Sequence, residues 1–183
     1  MDHRYPIGTY NVPSEFTPTI IAKWIDEIEA LPSQIRSAVS GMSEAQLDTS
    51  YREGGWTARQ VVHHLPDSHM NAYIRTRLAL TEDNPTVKPY IEKKWGDLFD
   101  ARTAPVEPSV NMLEGLHTRW AILFRSMNDE DFTRTFYHPE LDRSIRLDYL
   151  TGMYAWHGRQ GRSRLEARYG STWLRKRLSR QNN

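Results

Sequence analysis

At 183 residues the chain suits a single domain, residues 1–183, with enough length to bury a core. Its 38% hydrophobic and 26% charged residues describe a globular rather than a disordered chain, and a net charge of +1 gives no global attraction to nucleic acid or membrane. Cysteine is absent, which excludes thiolate nucleophiles, cysteine metal ligands and disulfides and fits a reducing cytoplasm. No apolar run approaches the ~20 residues of a membrane span, and "MDHRYPIGTYNVPSEF" lacks the apolar core of a secretory signal, so a cytoplasmic location is expected.

Residues 1–13 read as an extended arm, with Pro6, Gly8 and Pro13 as breakers. Ile21, Trp24, Ile25, Ile28 and Leu31 then recur with helical spacing; Pro32 predicts a kink or a restart, and Gly41 an end. Ser43 with Gln46 forms a capping-box pattern for a short helix, and "REGG" is a loop. A second box, Thr57 with Gln60, opens a long helix over "TARQVVHHLPDSHMNAYIRTRLALTE", which Pro66 should bend. "DNPTVKPY" is rich in turn residues, and residues 91–108 look irregular. "VNMLEGLHTRWAILFRSM" is a third amphipathic helix, "TRTFYHPELDRSIRLD" a small β-hairpin, and residues 147–168 a fourth helix. Four long helices with polar joins predict an all-α four-helix bundle.

Charge is uneven. Residues 159–183 hold seven Arg and one Lys against Glu166, a net of +7, which leaves −6 on residues 1–158. The basic tail, 170–183, carries Tyr169 just before it and Trp173 within it, aromatic rings that suit base stacking, but the acidic remainder opposes a phosphate backbone. A solvated helix end is the simpler reading, and nucleic acid ranks last among partners.

Three of the seven histidines crowd into "HHLPDSH". Gln60, His64, Asp67 and Asn71 share one helix face, a polar stripe that faces either water or a site, with water the commoner case. His63 is about 100° around the helix from His64, and His69 also diverges. At most one of these three should face a bundle interior unless Pro66 alters the phase. His157 has apolar and aromatic neighbours and reads either as a core histidine hydrogen-bonded to a neighbour or as a ligand. A catalytic zinc takes three protein ligands and an open position, so His64 and His157 alone are an incomplete set. No G-x-S-x-G elbow is present.

The stretches "RYPIG", "YREGGWTARQVVHHLPDSHMNAYIR", "KPY", "LHTRW", "FYHPE" and "YAWHGR" resemble the YfiT-like group of the DinB-like superfamily over about residues 4–159. The resemblance implies a DinB-like four-helix bundle and a metal-dependent hydrolase, or a bacillithiol S-transferase, acting on a small-molecule substrate or thiol, often as a homodimer. It implies one divalent metal, zinc or nickel, held by three histidines: His64, His157 and a third at position 161, where this chain has Gly161. Other family histidines fall on Gln160 and Arg164. Water or Asp67 would have to fill the vacancy at Gly161, and Asp67 could instead orient a ligand imidazole. The alternative is a non-catalytic bundle that binds metal weakly and holds a small molecule or dimerises.

Overall fold

The computed structural model describes residues 5–180, with side chains through Glu166; the basic tail predicted at 170–183 therefore has its side chains outside the described residues. Four long helices carry the fold: α1 Pro18–Val39, α3 Ala58–Thr81, α6 Glu107–Arg125 and α8 Leu147–Arg180. Shorter helices fill the connections: α2 Glu44–Leu47, α4 Glu92–Gly96, α5 Phe99–Thr103 and α7 Asp129–Thr133. The segment expected to be irregular, 91–108, thus contains α4 and α5. The predicted hairpin is present as β1 Thr135–His138 paired antiparallel with β2 Arg143–Arg146.

Local chemistry sets the helix ends. Thr17 caps α1 by accepting from Ile20 N at 3.3 Å, ahead of Pro18, whose missing N–H is harmless in a first turn. Both predicted capping boxes form, Ser43 with Gln46 and Thr57 with Gln60. Gly41 follows α1 with φ +77°, a left-handed conformation that suits glycine. Pro32 and Pro66 lie inside continuous helices and terminate neither. Each still removes one backbone donor, so Pro32 leaves the Ile28 carbonyl without its intrahelical partner.

Helix α1 packs against α6 and α8, and α3 packs against the same two, so α1 and α3 lie on opposite corners of the bundle. Directions follow from paired residues. Arg36 meets Glu107 near one end of α6 while Arg125 meets Asp26 and Glu29 near the other, so α1 and α6 are antiparallel. Arg159 pairs with Glu27 and Arg162 with Gln34, so α1 and α8 run together.

The core is divided. One buried cluster holds Trp24, Ile28, Trp120, Phe124, Leu150 and Tyr154; the other holds Leu31, Ile35, Val61, Leu65, Leu113 and Leu165. On all four helices the division falls at one level, and on α3, α6 and α8 a histidine occupies it: His69, His117 and His157. A polar layer therefore crosses an otherwise apolar bundle.

The N-terminal arm lies along α8. Tyr5 stacks on Trp156, and Trp156 Nε1 donates to Gly8 O at 3.2 Å. Truncating a fully buried aromatic should cost about 3–5 kcal/mol, and an exposed one within about 0.5. Phe124→Ala is expected to lower the urea midpoint by an amount in the first range, and Phe99→Ala, at an 83% exposed position, by one in the second.

Candidate metal centre

His64 Nε2 lies 3.2 Å from His157 Nε2 and 2.8 Å from Glu92 Oε1. These three donors, from α3, α8 and α4, all fall within 4.8 Å of one another. The set suits a divalent ion. Two donors bonded tetrahedrally to zinc at about 2.0–2.1 Å stand roughly 3.3 Å apart, and imidazole nitrogen with carboxylate oxygen is a common catalytic zinc donor set. His64 is buried, His157 half-buried and Glu92 exposed, so the group reaches the surface on its Glu92 side, where Glu92 lines a cleft.

Glu92 is brought there by α4, and α4 is held by residues of the "GGWTARQ" block. Gln60 accepts from Thr57 N at 2.9 Å and donates its amide to Gly96 O at 2.7 Å. Gly96 lies flat on Trp56; a Cβ there would come within 2.7 Å of the indole, so the approach requires glycine. Trp56 in turn packs on the His64 ring at 4.8 Å. The N-cap of α3 thereby anchors the short helix that carries the acid. The cleft at this edge has a volume of about 480 Å³ and is lined by Tyr51, Arg52, Trp56, Glu92, Arg102 and Arg164 among others.

Behind the donors, His157 Nδ1 is 3.0 Å from His69 Nε2, His69 Nδ1 is 2.9 Å from His117 Nε2, and His117 Nδ1 is 2.5 Å from the Ile28 carbonyl. His69 and His117 are fully buried. Burial pushes the imidazolium form of His117 down to about 4 and that of His69 well below the usual range, with neighbouring imidazoles adding to the latter. Burial and then His64 lower His157 in the same sense. The hydrogen bond from His64 holds the Glu92 carboxyl below its ordinary value despite partial burial. Burial raises the phenol of Tyr90 well above its usual range and also raises that of Tyr154, so both stay neutral. Ser68 Oγ donates to Tyr154 OH at 3.5 Å.

The helical wheel is corrected at "HHLPDSH". All three of its histidines are buried, not one. His63 faces α6 and serves structure, donating Nε2–H to Ala104 O at 3.1 Å and accepting from Ser109 Oγ at 2.7 Å. His64 and His69 diverge as expected, but the His157 ring lies between them and presents one nitrogen to each. The polar stripe is not a solvated one, since Gln60 and His64 are buried and Asp67 and Asn71 half-buried. Asp67 does not join the donor group; the acid that touches His64 is Glu92. Gly161 is packed closely: a Cβ there would meet Leu65 Cδ2 at 2.8 Å, and Leu65 is fully buried. Gln160 faces the arm, accepting from Ile7 N at 3.4 Å. Glu92 was missed because it lies in a segment with no periodicity, and His69 because its phase on the helix points away from His64.

Imidazoles from two long helices meeting an acid from a short connecting helix form a candidate metal centre at the edge of a helix bundle. The DinB superfamily profile matches residues 27–161, and the chain belongs to that superfamily. A protein of Oceanobacillus iheyensis named "Putative metal-dependent hydrolase" is 52% identical over 159 residues, covering 87% of this chain and 91% of its own. A Bacillus cereus protein of the same name is 50% identical over 178 residues, 97% of this chain and 98% of that one, an alignment long enough to run past Arg159. The solved structure of YfiT from Bacillus subtilis, described as "a probable metal-dependent hydrolase with an unusual four-helix bundle topology", matches with a TM-score of 0.89 at 44% identity, covering 93% of this chain and 99% of that one.

The buried imidazoles carry a pH signature. His117 takes up its proton near pH 4 when folded and near 6.5 when unfolded, so between those values the unfolded state binds more protons and stability falls as pH falls. By pH 4 this one group should cost roughly 2–3 kcal/mol. Urea unfolding of His117→Gln between pH 7 and pH 4 should show a correspondingly shallower loss than the unmodified chain; equal slopes would contradict it.

Proposed function

We propose that this chain is a metal-dependent hydrolase whose divalent ion, zinc or nickel, is held by His64, His157 and Glu92. The observation that carries the reading is the approach of Glu92 Oε1 to His64 Nε2 beside His157 Nε2. It supplies a third donor in a chain where the family resemblance leaves position 161 without one. Glu92 takes the place of an imidazole with a harder, anionic ligand, and the site keeps an open side toward the cleft. The names of the relatives support the same class.

An ion held there supplies Lewis acidity to a substrate oxygen or water at the cleft. The chain's own groups do the rest. His64 Nε2 and Glu92 Oε1 lie 2.8 Å apart, and both approach the position the ion would take. Tyr154 packs against the His157 ring at 5.7 Å, and burial keeps both it and Tyr90 neutral. The cleft volume of about 480 Å³ suits a small molecule. All three donor atoms come from one chain, so the homodimer implied by the resemblance is not required to complete the site.

Zinc affinity, measured by competition with a chromophoric chelator, is expected to fall at least tenfold in Glu92→Gln, and binding to be lost in His157→Ala. A panel of small esters, amides and thiol conjugates should reveal hydrolysis that a chelator removes and zinc or nickel restores; transfer to an added thiol instead would assign the S-transferase chemistry. Unchanged zinc affinity in Glu92→Gln would overturn the donor assignment.

A further inference from the structure

Three imidazoles in a row, ending on a backbone carbonyl, leave little freedom in where their protons sit. A carbonyl oxygen only accepts, so His117 Nδ1 must carry the hydrogen that meets Ile28 O. A neutral imidazole has one N–H, so His117 Nε2 is an acceptor, and His69 Nδ1 must be the donor to it. His69 Nε2 is then an acceptor, and His157 must donate from Nδ1. What remains on His157 is the bare Nε2 lone pair, and that is the atom facing His64 Nε2. The end of the line is also explained. The Ile28 carbonyl is available because Pro32, four residues on, has no N–H to offer it.

We propose that His69 and His117 are positioning residues that fix His157 as its Nδ1–H tautomer and hold its Nε2 lone pair toward the metal position. A ligating histidine commonly gives its other N–H to a carboxylate, a carbonyl or water. Here the acceptor is a second imidazole, itself set by a third, and the polarity of the whole line is dictated from α1. Reversing the line would place a proton on His157 Nε2 and close the atom to a metal. The proposal rests on the donor assignment above for its consequence, but not for the tautomer itself.

The test uses the full-length, metal-free chain with ¹⁵N-labelled histidine. Long-range ¹H–¹⁵N correlation should show His157 protonated at Nδ1 and bare at Nε2, with the same pattern at His69 and His117. In His117→Leu the line loses its anchor, His157 should populate the Nε2–H form, and zinc should bind about 10–100-fold more weakly. His117→Gln can donate its amide to Ile28 O and accept from His69 at its oxygen, so it should restore both the tautomer and the affinity. A merely structural role would lower stability without moving the tautomer. His157 found as Nε2–H in the unmodified chain would overturn the proposal, as would a folded His117→Leu with unchanged tautomer and zinc affinity. If His117→Leu does not fold, the unmodified chain and His117→Gln decide. Absence of zinc binding by the unmodified chain would sink the donor assignment and leave the tautomer result to stand or fall separately.

Discussion

The constraint on which this bundle turns is that nitrogen buried among apolar side chains must find a partner. An unsatisfied buried polar group costs about 1–3 kcal/mol, and the polar layer contains several ring nitrogens within a few ångströms. They are satisfied in series. Ile28 O takes His117, His117 takes His69, His69 takes His157, and the series ends at His157 Nε2, the nitrogen that faces His64. The layer divides the core into two apolar clusters and ties α1, α6, α3 and α8 together at one level. A bundle built only for stability would fill that level with leucine. The imidazoles make it stiffer in one respect: rotation of one ring breaks the bonds of its neighbours.

A second dependence runs from the start of α3 outward. Thr57 and Gln60 form the helix cap, Gln60 holds Gly96, and Gly96 sits on Trp56 against His64. Capping residues satisfy orphan backbone donors in any helix. Here the capping glutamine also fixes a five-residue helix, too short to be stable alone, with Glu92 at its first position. The acid and the imidazole it meets are thus positioned by neighbours on one stretch of chain, while the second imidazole comes from the far end of the sequence.

Much of the scaffold is legible in the residues. Apolar spacing marks α1, α3 and α6, the start of the fourth helix at residue 147 matches α8, and the Ser43 and Thr57 boxes mark two helix starts to the residue. The hairpin shows through β-favouring residues either side of "HPELD". The site is legible only in part. His64 and His157 follow from their motifs, but Glu92 has no local signal, because its position depends on a tertiary contact between Gly96 and Trp56. His69 reads as pointing away from His64 because wheel angles treat a side chain as a point on its own helix. A histidine reaches neighbours through two nitrogens on different sides of a ring, so His157 can meet two α3 residues whose angles diverge. The prolines also read differently in context. Pro32 suggested a kink or a restart; the helix continues through it without a restart, and its missing N–H leaves one carbonyl free for His117.

The most direct measurement is a crystal structure of the chain soaked in zinc, with anomalous scattering recorded at the zinc edge. The account predicts one ion bonded to His64 Nε2, His157 Nε2 and a Glu92 oxygen, with His157 Nδ1 still within hydrogen-bond distance of His69 Nε2. An ion bound without Glu92, or with His157 turned so that Nδ1 is the ligand, would contradict it.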